Sequence, residues 1–144
     1  MREIKFRGRR IDNGEWVHGC LTRYSDYMSY ITVDLVEGKV HQVLTATVGQ
    51  YIGPKDDHNR GKEIYKSDIV RIEAACGEEY IGEVVWDESR LGWAVDCSDL
   101  EELYDFATII HCEHLVEVIG NVHEHKYLLD PEIQKHICSG EPPF

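Results

Sequence analysis

Five side chains in the last third of this 144-residue chain have the chemistry of metal ligands: His111, Cys112 and His114, with His123 and His125 beyond them. Thiolates and imidazoles are good zinc ligands, and on a strand His123 and His125 would project from one face. Spacing argues the other way. Ligands as close as those of His111-Cys112-Glu113-His114 cannot all point at one ion, and no Cys-x2–4-Cys or His-x3–5-His occurs. No metal site and no cofactor is assigned from these residues.

Asp57-His58-Asn59-Arg60-Gly61, followed by Asp68, has the residue types of a calcium loop. In an EF-hand the glycine follows the third ligand position, whereas Gly61 occupies that position, and no helices flank the loop. A turn whose Asp and Asn side chains cap their own backbone accounts for it better. For nucleophilic catalysis there is no Gly-x-Ser-x-Gly, and Cys97 and Cys112 sit in the most acidic stretch, which blunts a thiol. The paired acids Glu101-Glu102 read as a solvated helix face. Trp16, Trp86 and Trp93 read as core or cross-strand partners. No catalytic residue is assigned.

Five scattered cysteines (Cys20, Cys76, Cys97, Cys112, Cys138) form no disulfide pattern. They read as small buried or half-buried hydrophobes in a reducing cytosol. No apolar run approaches the roughly 20 residues a membrane helix needs, and nothing resembles a signal peptide.

Charge is uneven. Residues 1–72 hold twelve Lys/Arg against ten Asp/Glu, a net of +2; residues 73–124 hold fourteen acids against Arg90 alone, a net of −13. A field that negative repels phosphates, so general nucleic-acid binding through the second half is disfavoured. The only basic cluster is Arg2, Lys5, Arg7, Arg9 and Arg10. On an extended strand Lys5, Arg7 and Arg9 share a face, leaving Ile4, Phe6 and Arg10 on the other. A strand so thinly anchored is expected to be tied down at a sheet edge or by another subunit. We expect residues 2–10 to be ordered against either the acidic helix region or a second copy of the chain.

The elements around these residues are mainly strands. Ile4–Ile11 and Glu15–Thr22 flank Asp12-Asn13-Gly14, a hairpin signal for a type I′ turn. Ile31, Val33 and Leu35 alternate with polar residues, and Glu37-Gly38-Lys39 turns into Val40–Leu44. Val48–Ile52 leads through the polar stretch Gly53–Gly61 to a strand at Asp68–Glu73. Tyr80–Trp86 and Trp93–Cys97 flank the loop Asp87–Gly92. A helix is predicted after Asp99, with Glu102 completing its cap and Leu100, Leu103, Tyr104 and Ala107 on one face. Leu115–Val122 reads as a strand with Val116, Val118 and Val122 on one side. Asp130-Pro131 opens a short helix to about Ile137. The result is one domain, 1–144, with residues 136–144 a loose tail.

Three blocks resemble the YopX family of small phage and prophage proteins. They are Ile4-Lys-Phe-Arg-Gly-Arg-Arg-Ile-Asp-Asn-Gly-Glu-Trp-Val-His-Gly19, then Gly49–Gly53 with Gly61–Tyr65 and Asp68-Ile-Val70, then Glu117-Val-Ile-Gly-Asn121. The resemblance implies a mainly β fold, a small SH3-like barrel or roll with an N-terminal β-hairpin and one or two short helices. It also implies prophage origin and the cytoplasm of a bacterial host, and it supplies no functional residues. Two departures stand out. Lys66-Ser67 replaces the family's acidic residue and glycine, putting a positive-φ turn in question, and His123-Glu-His125 replaces a tyrosine-containing end.

Three functions follow as expectations. The first is a non-catalytic module binding a host or phage protein, with no membrane partner and with self-association through the first strand as a further expectation. The second is an acidic mimic of a nucleic-acid backbone. The third is a metal-dependent nucleic-acid binder or enzyme using the basic strand and the histidines.

Overall fold

Hairpin chemistry sets the first elements. The computed structural model describes residues 3–34, 36–56, 61–74, 76–97 and 102–139. Strand β1 (Phe6–Arg9) pairs antiparallel with β2 (Trp16–Arg23), Arg9 opposite Trp16 and Phe6 opposite Gly19. The turn is wider than the type I′ predicted. Gly14 alone takes a positive φ, of 73°, its N–H bonds Arg10 O, and Asn13 Oδ1 instead accepts from Glu15 N. An asparagine that bonds forward along the chain has no need of the left-handed region. Strands β3 (Ser29–Asp34), β4 (Lys39–Val43) and β5 (Gly49–Lys55) follow. β3 buries Ser29 and Ile31 but slips register after Thr32, so Val33 is exposed; Leu35 lies outside the described residues.

The rest of the chain adds β6 (Glu63–Tyr65), β7 (Asp68–Glu73), β8 (Glu79–Asp87), β9 (Gly92–Cys97) and β10 (Glu102–Asp105). After them come α1 (Phe106–His111), β11 (Leu115–Asn121), a 3-10 turn at Lys126–Leu129 and α2 (Pro131–Ser139). Both sheets are open, with orders β4-β3-β2-β1-β5-β6 and β10-β9-β8-β7-β11, so the closed barrel expected from the family resemblance is not what forms. The nearest approach to closure is one bridge, Arg10 to Val43. The chain divides into two compact units between Gly53 and Pro54.

In the first unit β1 is an interior strand, paired with β2 on one side and β5 on the other. That corrects the expectation of a thinly anchored edge. Its cations lie against aromatic rings: the Arg7 guanidinium lies 4.8 Å from the Trp16 ring centroid, Arg9 5.9 Å from the same ring, and Lys5 Nζ 5.6 Å from Tyr51, with Lys5 and Arg9 half-buried. Arg7 is buried. Guanidinium stacking on an aromatic face makes such burial tolerable. Gly8 completes the arrangement, because a Cβ there would stand 2.9 Å from the buried Val43 side chain.

The second unit carries a core on each face of its sheet. Cross-strand partners share a face, so Val70, Ile72, Val84, Val95, Val116 and Val118 are buried on one side. On the other, Ile69 and Ile81 meet Leu128, with Ile119, Val122, Ile133 and Ile137 against them. α2 presents Ile133 and Ile137 four residues apart; Asp130 Oδ1 caps it through Glu132 N, and it runs to Ser139, two residues past the expected end. The helix predicted after Asp99 does not form where expected: Asp99 and Leu100 lie outside the described residues, and Glu102–Asp105 is a strand paired to β9. Tyr104 packs on Tyr80, centroids 5.5 Å apart, and the edge of β9 supplies a ladder that an isolated helical turn lacks. The helix starts at Phe106, with Asp105 as its cap. Trp86 and Trp93 are the expected cross-strand pair, ring centroids 5.2 Å apart.

Candidate functional site

A groove of about 500 Å³ opens in the second unit where the end of β5, β6, α1 and the start of β11 meet. Its floor is apolar, with Ile64 and Phe106 buried. Its walls carry Ile110, 53% exposed, and Leu115, 41% exposed, while Lys55, Glu113 and His114 supply its polar groups. Concave apolar sites with a few convergent polar groups are where small ligands and anchor side chains bind.

The helix end that shapes this groove is strained. Glu113 N bonds Ile110 O and His114 N bonds Ile109 O, the paired bonds of a Schellman motif. The left-handed position of that motif favours glycine, yet here Glu113 occupies it with φ 59°. Strain held at a site by surrounding structure is a common mark of functional geometry.

The sequence signature around Gly53–Val70 serves as bracing. Asp56 is buried; its Oδ1 accepts from Lys62 N and its Oδ2 from Val118 N, 62 residues away on β11. Asp68 is buried and Oδ2 accepts from Tyr65 N at 2.8 Å. Between them, Lys66-Ser67 makes the turn of β6 into β7 with Ser67 at φ 74°. The glycine-like geometry therefore persists without the glycine, held by Ser67 N on Val84 O and by Val122 N on Ser67 O. Asp57, His58, Asn59 and Arg60 of the calcium-like loop lie outside the described residues.

The five candidate ligands are distributed along two turns. His111 and Cys112 are exposed at the end of α1, and His114 is half-buried in the groove. His123 and His125 do not project from a strand, since β11 ends at Asn121 and both follow in a turn. Asn121 Oδ1 there accepts from His123 N and Glu124 N, and His125 Nδ1 accepts from Asn121 N. Among the described residues no group of three or more His, Cys, Asp or Glu is placed to hold a metal ion. The cysteines differ from expectation. Cys97 is buried, but Cys20, Cys76 and Cys112 are exposed and free, because strand alternation and turn positions decide exposure where thiol hydrophobicity does not; Cys138's side chain lies outside the described set.

Register gathers the acidic segment. Glu73, Glu79, Glu83, Asp87, Asp96, Asp105 and Glu117, half of the fourteen, share the face of the β10-β9-β8-β7-β11 sheet that also carries Ile69 and Ile81, and Asp87 is buried there. Arg71 sits among them and pairs with Glu79 at 3.1 Å and Glu117 at 3.0 Å. Asp87 accepts from Ser89 N and Oγ, and the Ser89 hydroxyl holds its carboxyl below the ordinary range. Glu83 stands directly opposite Asp96; burial, then the Asp96 charge, pushes its carboxyl up, with Lys66 and Lys126 pulling the other way. The Glu101-Glu102 helix face is not seen: Glu102 lies in β10, and Glu101 is outside the described residues.

Sequence reasoning missed the groove residues Ile110, Leu115 and Lys55. One signal was available. Ile109 and Ile110 are adjacent in a six-residue helix, and neighbours 100° apart cannot both face the same core.

A mainly β protein of two open antiparallel sheets, with an apolar groove beside a strained helix end, is the class these observations define. The YopX protein family model matches residues 5–130, so the chain belongs to the YopX family. No curated protein matches it. No helix among the described residues is long and apolar enough to cross a membrane.

Proposed function

We propose that the protein is a non-catalytic binding module whose groove on the second unit receives an apolar anchor from a protein partner. The carrying observation is the exposure of Ile110 and Leu115 over a floor fixed by Ile64 and Phe106. Exposed large aliphatics around a preformed concavity fit hot-spot recognition. An SH3-like reading of this unit is supported by a four-strand meander, β7 to β10, whose fifth strand β11 returns beside the first. Family membership supports a prophage accessory role in a bacterial cytoplasm, acting on host or phage machinery. The test is site-specific crosslinking. A photoreactive residue at Ile110 should capture one host or phage protein in cells, and Leu115→Asp should abolish the adduct without changing the melting temperature. Equal capture by the Leu115→Asp chain would remove this reading.

A second reading has its own observation, the carboxylates gathered on one sheet face. Glu73 stands opposite Glu79 and Glu83 opposite Asp96, about 5 Å apart across strands, and Glu79, Glu83 and Asp87 recur every four residues along β8, about 13 Å apart. An acidic mimic would displace nucleic acid from a basic host protein, and Glu83→Lys with Asp96→Lys would restore nucleic-acid binding by that protein. Unchanged competition by the double variant would eliminate mimicry.

A further inference from the structure

The first unit carries a face of opposite character, separate from the groove. Because Arg9 pairs with Trp16 and Arg7 with His18, and Cys20, Thr22, Tyr30, Thr32, Val40 and Gln42 follow in register, these side chains share one side of β1-β2-β3-β4. None of the residues at those paired positions is acidic. At one end the cations cluster around a ring: Arg7 and Arg9 on Trp16, with His18 exposed beside them. At the other end a cleft of about 410 Å³ has, among the described residues, no ionisable group but tyrosine in its lining. There Tyr24 and Tyr30 stand edge to face, centroids 5.4 Å apart, between Met28 and Val40. Tyr24 is 72% exposed.

The two ends are linked by six residues of β2, a span of about 20 Å. A ligand matching both is anionic at one end and flat and apolar at the other. Single-stranded nucleic acid has that chemistry: phosphates answer the cations, and bases stack on exposed rings. A peptide without acidic residues would leave the cationic end unmatched. We propose that this face of the first unit binds single-stranded nucleic acid, with phosphates toward Arg9 and His18 and a base in the Tyr24–Tyr30 cleft. The repulsion argued from residues 73–124 concerns the second unit and does not describe this face.

Cys20 lies on the same face midway between the ends and is exposed, while Cys76 and Cys112 are exposed thiols of the second unit. They make a built-in footprint. Full-length protein is titrated with labelled oligo-dT and oligo-rU of about eight nucleotides at several salt concentrations, and the thiols are then alkylated and read by mass spectrometry. Binding should weaken as salt rises, and Cys20 alone should become protected. His18→Glu should lower affinity about tenfold and flatten the salt dependence, whereas Tyr24→Ala should lower affinity about tenfold and leave the slope unchanged. Both residues are exposed, so unaltered melting would confirm that the fold is kept. No binding at low salt would overturn the proposal, as would binding that leaves Cys20 reactive. Protection of Cys20 by a proline-rich peptide but not by an oligonucleotide would transfer the face to a protein partner.

Discussion

The two units solve the same problem of charge on a sheet in opposite ways. In the first, residues 1–53 hold seven Lys/Arg and six Asp/Glu, a net of +1, and the cations of β1 are laid on Trp16 and Tyr51. In the second, residues 54–144 hold eight Lys/Arg and twenty-one Asp/Glu, a net of −13, and Glu83 directly faces Asp96. Backbone strain divides the same way. Among the described residues every positive φ of the first unit belongs to glycine (Gly14, Gly38, Gly53), while Ser67, Leu91 and Glu113 all lie in the second. Like charges directly opposite one another and non-glycine residues in the left-handed region both cost stability. The second unit therefore sustains unfavourable local terms on a well-packed two-sided core, and its groove lies beside one of them.

The sharpest way to break this contrast is at its bracing. Asp56→Ala would strand the buried N–H of Val118 and remove the partner of Lys62 N, and the second unit should lose about 2.5 kcal/mol in urea unfolding. A loss under 1 kcal/mol would mean that Asp56 is no brace. In the first unit, Gly8→Ala should cost about 2 kcal/mol through overpacking against Val43, and Val43→Ala in the same chain should recover part of it. Strict additivity of the two substitutions would show that they do not touch.

Smaller effects sharpen the comparison. Glu113→Gly and Ser67→Gly should each raise stability by about 1 kcal/mol in thermal unfolding, because glycine occupies the left-handed region without penalty. Destabilisation by either would mean that the side chain, not the backbone, is what the site requires. The smallest effect is a pH dependence. Glu83 has its folded pKa raised above the ordinary 4.5, so the folded state holds the proton longer than the unfolded one. Its contribution is then fully present below that value and is lost as pH rises through the raised one. Glu83→Gln should flatten stability across this window and match the parent below it; an unchanged profile would show that burial and Asp96 do not act on Glu83.

Much of the fold was legible as local chemistry. Asp68–Glu73 begins and ends where the sequence pattern placed it, Asp130-Pro131 caps and opens α2, and Asn13-Gly14 and Gly38 mark real turns. These signals depend on residues within a few positions of one another, so alternation, cap chemistry and turn preference decide them. The groove, the stacked cations and the acidic face were not legible, because each depends on partners far apart in sequence. Glu102–Asp105 has helical spacing yet becomes a strand once β9 offers an unpaired edge. The basic face of β1 reads as solvent-facing until register sets Trp16 opposite Arg9. Seven carboxylates scattered over forty-five positions become one face only when five strands align, and Asp56 finds Val118 only in the folded chain. Composition and short-range periodicity determined that this would be a β protein with one very acidic half. Tertiary register decided which charges meet rings and which meet each other, because cross-strand distance is independent of separation along the chain.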